Sequence, residues 1–215
     1  MLMERLEDIA DRIHQSFEER TAARDRALTH ARTLTRHCAN AIRAIHRDEY
    51  DIAEGHISEA RLLVSAIHEN LADFPDLYYA GYTQDALKEF AEANLTYALV
   101  RNSQLPSPEE LGLVNATYLQ GLAEAAGELR RRCLDMLLKG HPQEAERVLG
   151  AMDDIYDVLV TMDYPDAITG GLRRLTDILR SITERTRGDL TLSLRQEALE
   201  ESLRRLENQL RTPEE

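Results

Sequence analysis

Apolar residues recur every three or four positions through nearly the whole chain, which is the spacing of a helix that buries one face. Leu6, Ile9, Ala10, Ile13 and Phe17 open the series, and Ala27, Leu28, Ala31, Leu34, Cys38, Ala41, Ile42 and Ile45 continue it. No Gly or Pro interrupts this stretch, so Met3–Arg47 predicts one long helix or two nearly collinear ones. Ile52, Ala53, Ile57, Ala60, Leu63, Val64, Ile67 and Leu71 predict a second helix over Asp48–Asp73, joined to the first by no more than a turn. Phe74-Pro75-Asp76 breaks the pattern, and Tyr78, Tyr79 and Tyr82 follow as an aromatic cluster. Such a cluster either packs a helix corner or offers faces on which bases stack.

Thr83 is a candidate N-cap for the next helix, which runs to about Arg101. Its apolar face is Ala86, Leu87, Phe90, Ala91, Leu95, Ala98 and Leu99. Pro106 and Pro108 mark Asn102–Glu110 as a connection. A helix from Asn115 to about Lys139 follows, then Gly140 and Pro142 give a stop and a restart. Further helices are predicted over about Pro142–Met162 and Asp166–Arg187, with a stop at Gly188 and a last helix ending near Arg211. Nothing alternates with a strand's period. The pattern therefore predicts an all-α fold, an antiparallel bundle of about seven helices with no sheet. It predicts one domain over 1–211 and a frayed tail at 212–215.

Composition fits that picture. Of 215 residues 30% are charged, only 10 are Gly and 6 Pro, and Trp is absent, so the core falls to Leu, Ala, Ile and Val. Cys38 and Cys133 both sit in apolar helical patterns, as reduced core thiols of a cytoplasmic protein would. Met1–Arg20 is charged throughout and does not resemble a signal peptide. No run approaches the roughly 20 apolar residues of a membrane span.

The net charge of −13 argues on its own against a nucleic-acid partner, but the charge is unevenly spread. Arg24–Arg47 holds six Arg and one Asp. Arg32, Arg36, Arg43 and Arg47 follow one another at helical spacing beside the apolar stripe, with His37 and His46 next to them. Such a row is either a solvated face or a track for phosphates, which guanidinium groups grip in a bidentate manner.

The candidate chemistry lies in two acidic pairs. Glu89 and Glu92 are three apart, and Glu124 and Glu128 four apart, so each pair shares one face of its helix. If the two faces meet, four hard oxygen donors converge. Such a set suits Mg²⁺ or Mn²⁺, and a two-metal arrangement suits phosphodiester hydrolysis. Arg131 or Arg132, beyond Glu128, could then steady a phosphate. If the faces do not meet, these are ordinary surface acids in a chain that has 39. A di-iron bundle needs Glu-x-x-His, which the chain lacks. It also lacks a nucleophile elbow and a phosphate loop.

Several stretches, in order, resemble the translin/Trax family of all-helical nucleic-acid-binding proteins. Leu87-Lys-Glu-Phe-Ala-Glu-Ala93 resembles the Trax segment that carries two catalytic glutamates. Tyr118-Leu-Gln-Gly-Leu-Ala-Glu-Ala-Ala-Gly-Glu-Leu-Arg130 resembles the following Trax helix, in which two acids four apart complete the site. Ile155-Tyr-Asp157 and the Arg187-Gly188 pair also fall where the family has similar residues, and the likeness covers about residues 25–210. The resemblance implies a metal-dependent endoribonuclease with Glu89, Glu92, Glu124 and Glu128 as catalytic and metal-binding residues. The family's third acid is typically Asp, and here it is Glu124. The resemblance further implies a hollow oligomer, here a homo-oligomer. Its inner basic surface, with Arg32, Arg36, Arg43 and Arg47 as the candidate lining, would enclose RNA or single-stranded DNA. The alternative is a binding oligomer of the same kind without turnover.

Overall fold

The structure, a computed structural model, describes residues 2–211; the tail expected at 212–215 lies outside the described residues. The described residues form helices and turns with no strand, as the periodicity requires. Six helices are long: α1 (Leu2–His46), α2 (Tyr50–Leu71), α4 (Gly81–Arg101), α6 (Asn115–Leu138), α7 (Pro142–Leu159) and α9 (Leu172–Arg211). Three are single turns: α3 (Pro75–Tyr78), α5 (Pro108–Leu111) and α8 (Asp166–Thr169). The chain packs as two compact units, Met1–Tyr97 with Leu105–Gly121, and Ala98–Gln104 with Leu122–Glu215. Both α4 and α6 run from the first unit into the second.

In the first unit α1 and α2 form an antiparallel hairpin. Ala27, Ala31, Leu34, Cys38, Ala41 and Ile45 are buried on α1, and Ala53, Ala60, Val64, Ile67 and Leu71 on α2. Steps of three and four that sum to seven are the spacing of knobs-into-holes packing. The turn between them closes because Asp48 takes a left-handed conformation (φ 61°), letting the Glu49 N–H donate to the Ala44 carbonyl at 2.9 Å. At the far end the Asn70 amide donates to the Ala23 carbonyl at 2.8 Å, and Arg20 pairs with Asp76. Beyond that contact the first turns of α1 keep their apolar row open to solvent, with Phe17 63% exposed.

Helix α4 is buried on nearly every side. Besides the face read from the sequence, Ala93, Asn94, Thr96 and Val100 are also covered. A helix of small residues that is apolar most of the way round belongs inside a core. Its start differs from expectation. Thr83 is not the cap, because the helix begins at Gly81 and the buried Thr83 hydroxyl donates to the Leu77 carbonyl at 2.9 Å. The Pro-rich connection holds α5, set by a capping box in which Ser107 and Glu110 satisfy each other's backbone N–H groups.

In the second unit α7 lies against α9. Leu172, Thr176, Leu179, Thr183, Thr186 and Leu190 form a buried row on α9. Arg187 pairs with Asp153 at 2.6 Å, and Arg130 of α6 reaches the Thr186 hydroxyl at 2.7 Å and Asp189 at 3.1 Å. Arg147 of α7 donates to the Leu99 and Val100 carbonyls while paired to Glu144. It thereby adds a donor to two carbonyls at the C-terminal end of α4, where Leu99 also accepts from the Asn102 N–H at 3.3 Å. The stop expected at Gly188 is absent, and α9 runs straight through it. One glycine weakens a helix by about 1 kcal/mol, which packing on both flanks readily outweighs. The actual break is Gly170-Gly171, where both residues have positive φ (60° and 86°).

A methyl group at Gly188 would meet nothing within 4 Å. Gly188→Ala is expected to raise stability to urea by about 0.5–1 kcal/mol, the helix-interior preference for alanine. A destabilised variant would mean that α9 does not continue through this position.

Candidate metal centre

The first turns of α6 are fixed on α4 by two contacts. The Thr117 hydroxyl donates to Gln84 Oε1 at 2.6 Å. One turn further on, Gly121 lies directly against the α4 backbone and Ala91. Glu124 follows Gly121 by three residues, about 4.5 Å along the helix axis, and so projects from nearly the same side of α6. On α4, Glu89 and Glu92 are one turn apart. Each of Glu89, Glu92 and Glu124 offers one carboxylate oxygen, and the three oxygens all lie within 4.8 Å of one another. Glu92 is only 9% exposed, and Glu89 and Glu124 are half-buried.

Two unit charges about 4–5 Å apart repel by roughly 3–4 kcal/mol at an effective dielectric of about 20, before any neighbouring group is counted. Gathering three acids therefore favours a cation, a proton or basic neighbours at the same place. The spacing suits a cation. Two oxygens that share one ion stand at most about 4.0–4.2 Å apart for a Mg²⁺-sized ion and 4.6–5.2 Å for a Ca²⁺-sized one, the range that the 4.8 Å bound falls in. The donor set is all hard oxygen. These three residues could hold a metal ion.

The fourth expected acid, Glu128, lies one turn further along α6, half-buried and outside the three-oxygen group. Arg32, Arg36 and Arg43 are exposed on α1, and Arg47 is exposed just past its end. Arg43 donates to Asn40 Oδ1 at 2.7 Å, and Arg47 stands 4.0 Å from Glu49. Arg131 is exposed on α6, whereas Arg132 is buried. Of the aromatic cluster, Tyr79 is exposed, while Tyr78 is half-buried against His68.

Two features near these residues carry no signature in the sequence pattern. His37 and His56 bring their Nδ1 atoms to 3.2 Å across the α1–α2 hairpin, so one ring donates to the other. Cys38, fully buried on α1, feels both Glu89 and Glu92: burial pushes its thiol up, and the two carboxylates push it further. The contact at Gly121 is a third such feature, although a glycine inside a helical pattern is itself the signal of a close approach.

Burial likewise pushes the Cys133 thiol up to about 11. A raised thiol pKa keeps the unreactive protonated form until pH nears that value. The native protein is therefore expected to react with no equivalents of a disulfide reagent at pH 8, and with two once unfolded. A thiol titrating rapidly in the native state would contradict the buried placement of its cysteine.

No family model matches the chain. An uncharacterized protein of Methanocaldococcus jannaschii is 34% identical over 188 residues, covering 86% of this chain and 83% of that protein. Among solved structures, AfC3PO in complex with duplex RNA is 30% identical, with a TM-score of 0.80 over 86% of this chain and 95% of that one. A crystal structure of AfC3PO is 29% identical with the same TM-score, covering 86% and 96%. Apo-NeC3PO, at 22% identity, TM-score 0.79 and coverage of 86% and 96%, is similar in fold. These C3PO structures are translin/Trax structures, and the likeness in sequence and fold extends over most of both chains. The chain belongs to the translin/Trax family.

Proposed function

We propose that the protein is an RNA-binding homo-oligomer of the translin/Trax type that cleaves RNA with a divalent cation, Mg²⁺ or Mn²⁺. The observation that carries this reading is the meeting of three carboxylates from α4 and α6 within 4.8 Å. A relative of similar fold has been solved with duplex RNA, which supports RNA as the partner. Exposed apolar rows support assembly with further copies: Met3, Leu6, Ile13 and Phe17 on α1, and Leu192, Leu199, Leu203 and Leu206 on α9. In a hollow assembly of this kind the exposed Arg32, Arg36, Arg43 and Arg47 line the inner surface and hold phosphates, and Arg131 steadies the strand near the acids. We place the protein in the cytoplasm, where both buried thiols stay reduced.

Glu89, Glu92 and Glu124 hold the cation. When bound, it supplies the positive charge that polarises a phosphodiester and acidifies a water. Glu128, one turn along α6, is assigned the proton released as water attacks phosphorus. As the P–O bond breaks, the departing oxygen takes a proton from solvent and Glu128 returns its own to solvent, leaving one strand end with a phosphate and the other with a hydroxyl.

Labelled single-stranded RNA incubated with Mn²⁺ or Mg²⁺ is expected to be cut, and EDTA is expected to stop the reaction. Glu89→Gln with Glu124→Gln should slow cleavage at least about a hundredfold, since the cation's charge stabilisation amounts to several kcal/mol. Cleavage that survives the double variant would sink the nuclease reading. RNA binding without cleavage in the parent protein would leave a carrier. In the same material, Arg32→Glu with Arg36→Glu should weaken RNA binding. It should also flatten the dependence of log affinity on log salt by about 0.7 for each phosphate no longer neutralised. An unchanged salt slope would remove the Arg row from the interface.

A further inference from the structure

We infer that Gly121 is the positioning residue of the acid cluster: its missing side chain sets how close α6 comes to α4, and so whether Glu124 reaches Glu89 and Glu92. The inference rests on the cation reading of those three acids and deepens it. A Cβ built at Gly121 would stand 2.5 Å from the Ala91 Cβ, 2.9 Å from the Lys88 carbonyl oxygen and 3.0 Å from the Glu92 backbone nitrogen. Carbon atoms rest at about 3.5–4.0 Å. A methyl group therefore has to push the helices apart by about 1 Å at this point. Two of the three atoms in its way are α4 main chain, which no side-chain rotation can move aside.

The place of the contact matters as much as its closeness. Lys88 and Glu92 bracket Glu89 on α4, and the Glu92 nitrogen belongs to one of the three acids. Glu124 lies three residues after Gly121. The touching point is thus within one turn of every member of the cluster, and separation there is passed to the oxygens almost undiminished. A metal site tolerates little of this, since ligand distances hold within about 0.2 Å. Gly127 is the built-in comparison. It lies in the same helix, two turns on from the contact, and a Cβ there would meet nothing within 4 Å.

The test measures Mn²⁺ affinity by electron paramagnetic resonance, on the full chain without RNA. Gly121→Ala and Gly127→Ala gain the same helix preference for alanine, so collision is what separates them. Gly127→Ala should bind Mn²⁺ within twofold of the parent, and Gly121→Ala at least tenfold more weakly in protein that circular dichroism shows folded. Adding Ala91→Gly to Gly121→Ala removes the closest of the three contacts and should recover part of the affinity. It also provides the measurement if Gly121→Ala alone does not fold: a folded double variant should still bind more weakly than the parent, because both main-chain contacts remain. A glycine needed only for stability would lower the melting temperature and leave the affinity of the folded protein unchanged. Gly121→Ala, or a folded double variant standing in for it, binding within twofold of the parent would overturn the inference while leaving the cation reading intact. A parent protein that binds no Mn²⁺, with Glu124→Gln indistinguishable from it, would overturn that reading and this inference together.

Discussion

Carboxylates do not gather inside a protein unless something brings their backbones together first. Here that is the close approach of the first turns of α6 to the middle of α4, where Gly121 meets Ala91 and bare backbone. Most helix pairs stand 8–10 Å apart with side chains filling the gap. A glycine facing an alanine allows a tighter crossing, and glutamates flanking such a crossing are long enough to meet across it. The cost is repulsion among three acids drawn together, of which Glu92 is nearly buried, and a cation among them would offset it.

That dependence explains which parts of the protein were legible in the sequence. Helices with a regular apolar row, such as α1 and α2, could be placed within a few residues, since burial of one face is what makes them helices. Glu89, Glu92 and Glu124 were legible as candidates because i,i+3 and i,i+4 spacing needs only a helix. Their meeting was not, because periodicity places a residue on a face and does not say which face it meets. Gly188 and Thr83 misled for a related reason. A glycine or a threonine has a local preference worth about 1 kcal/mol, and the buried row of α9 and the Leu77 carbonyl decide those positions instead. The break at Gly170-Gly171 was equally local, but it shows in the backbone only through two positive φ angles.

The uneven charge follows a similar logic. A chain of net charge −13 still keeps Arg32, Arg36 and Arg43 along one exposed edge of α1, with Arg47 exposed just past its end. Guanidinium groups that served only solubility would be interleaved with acids as they are near the start of the helix, where Glu4, Glu7, Asp8 and Asp11 alternate with Arg5 and Arg12. From Arg26 to Arg47 no acid intervenes. Segregation of this kind repels other copies of itself at that edge and attracts a polyanion, which is the electrostatic condition the proposed interior surface has to meet.

Cys38 adds the last constraint on what the acids can hold. A thiolate beside them would turn the site toward soft cations such as Zn²⁺. The thiol is instead fully buried, and both burial and the two carboxylates favour its protonated form. The three grouped donor atoms are all carboxylate oxygens, with Cys38 outside the group, and oxygen donors select hard cations. Cys38 itself belongs to the buried apolar row of α1.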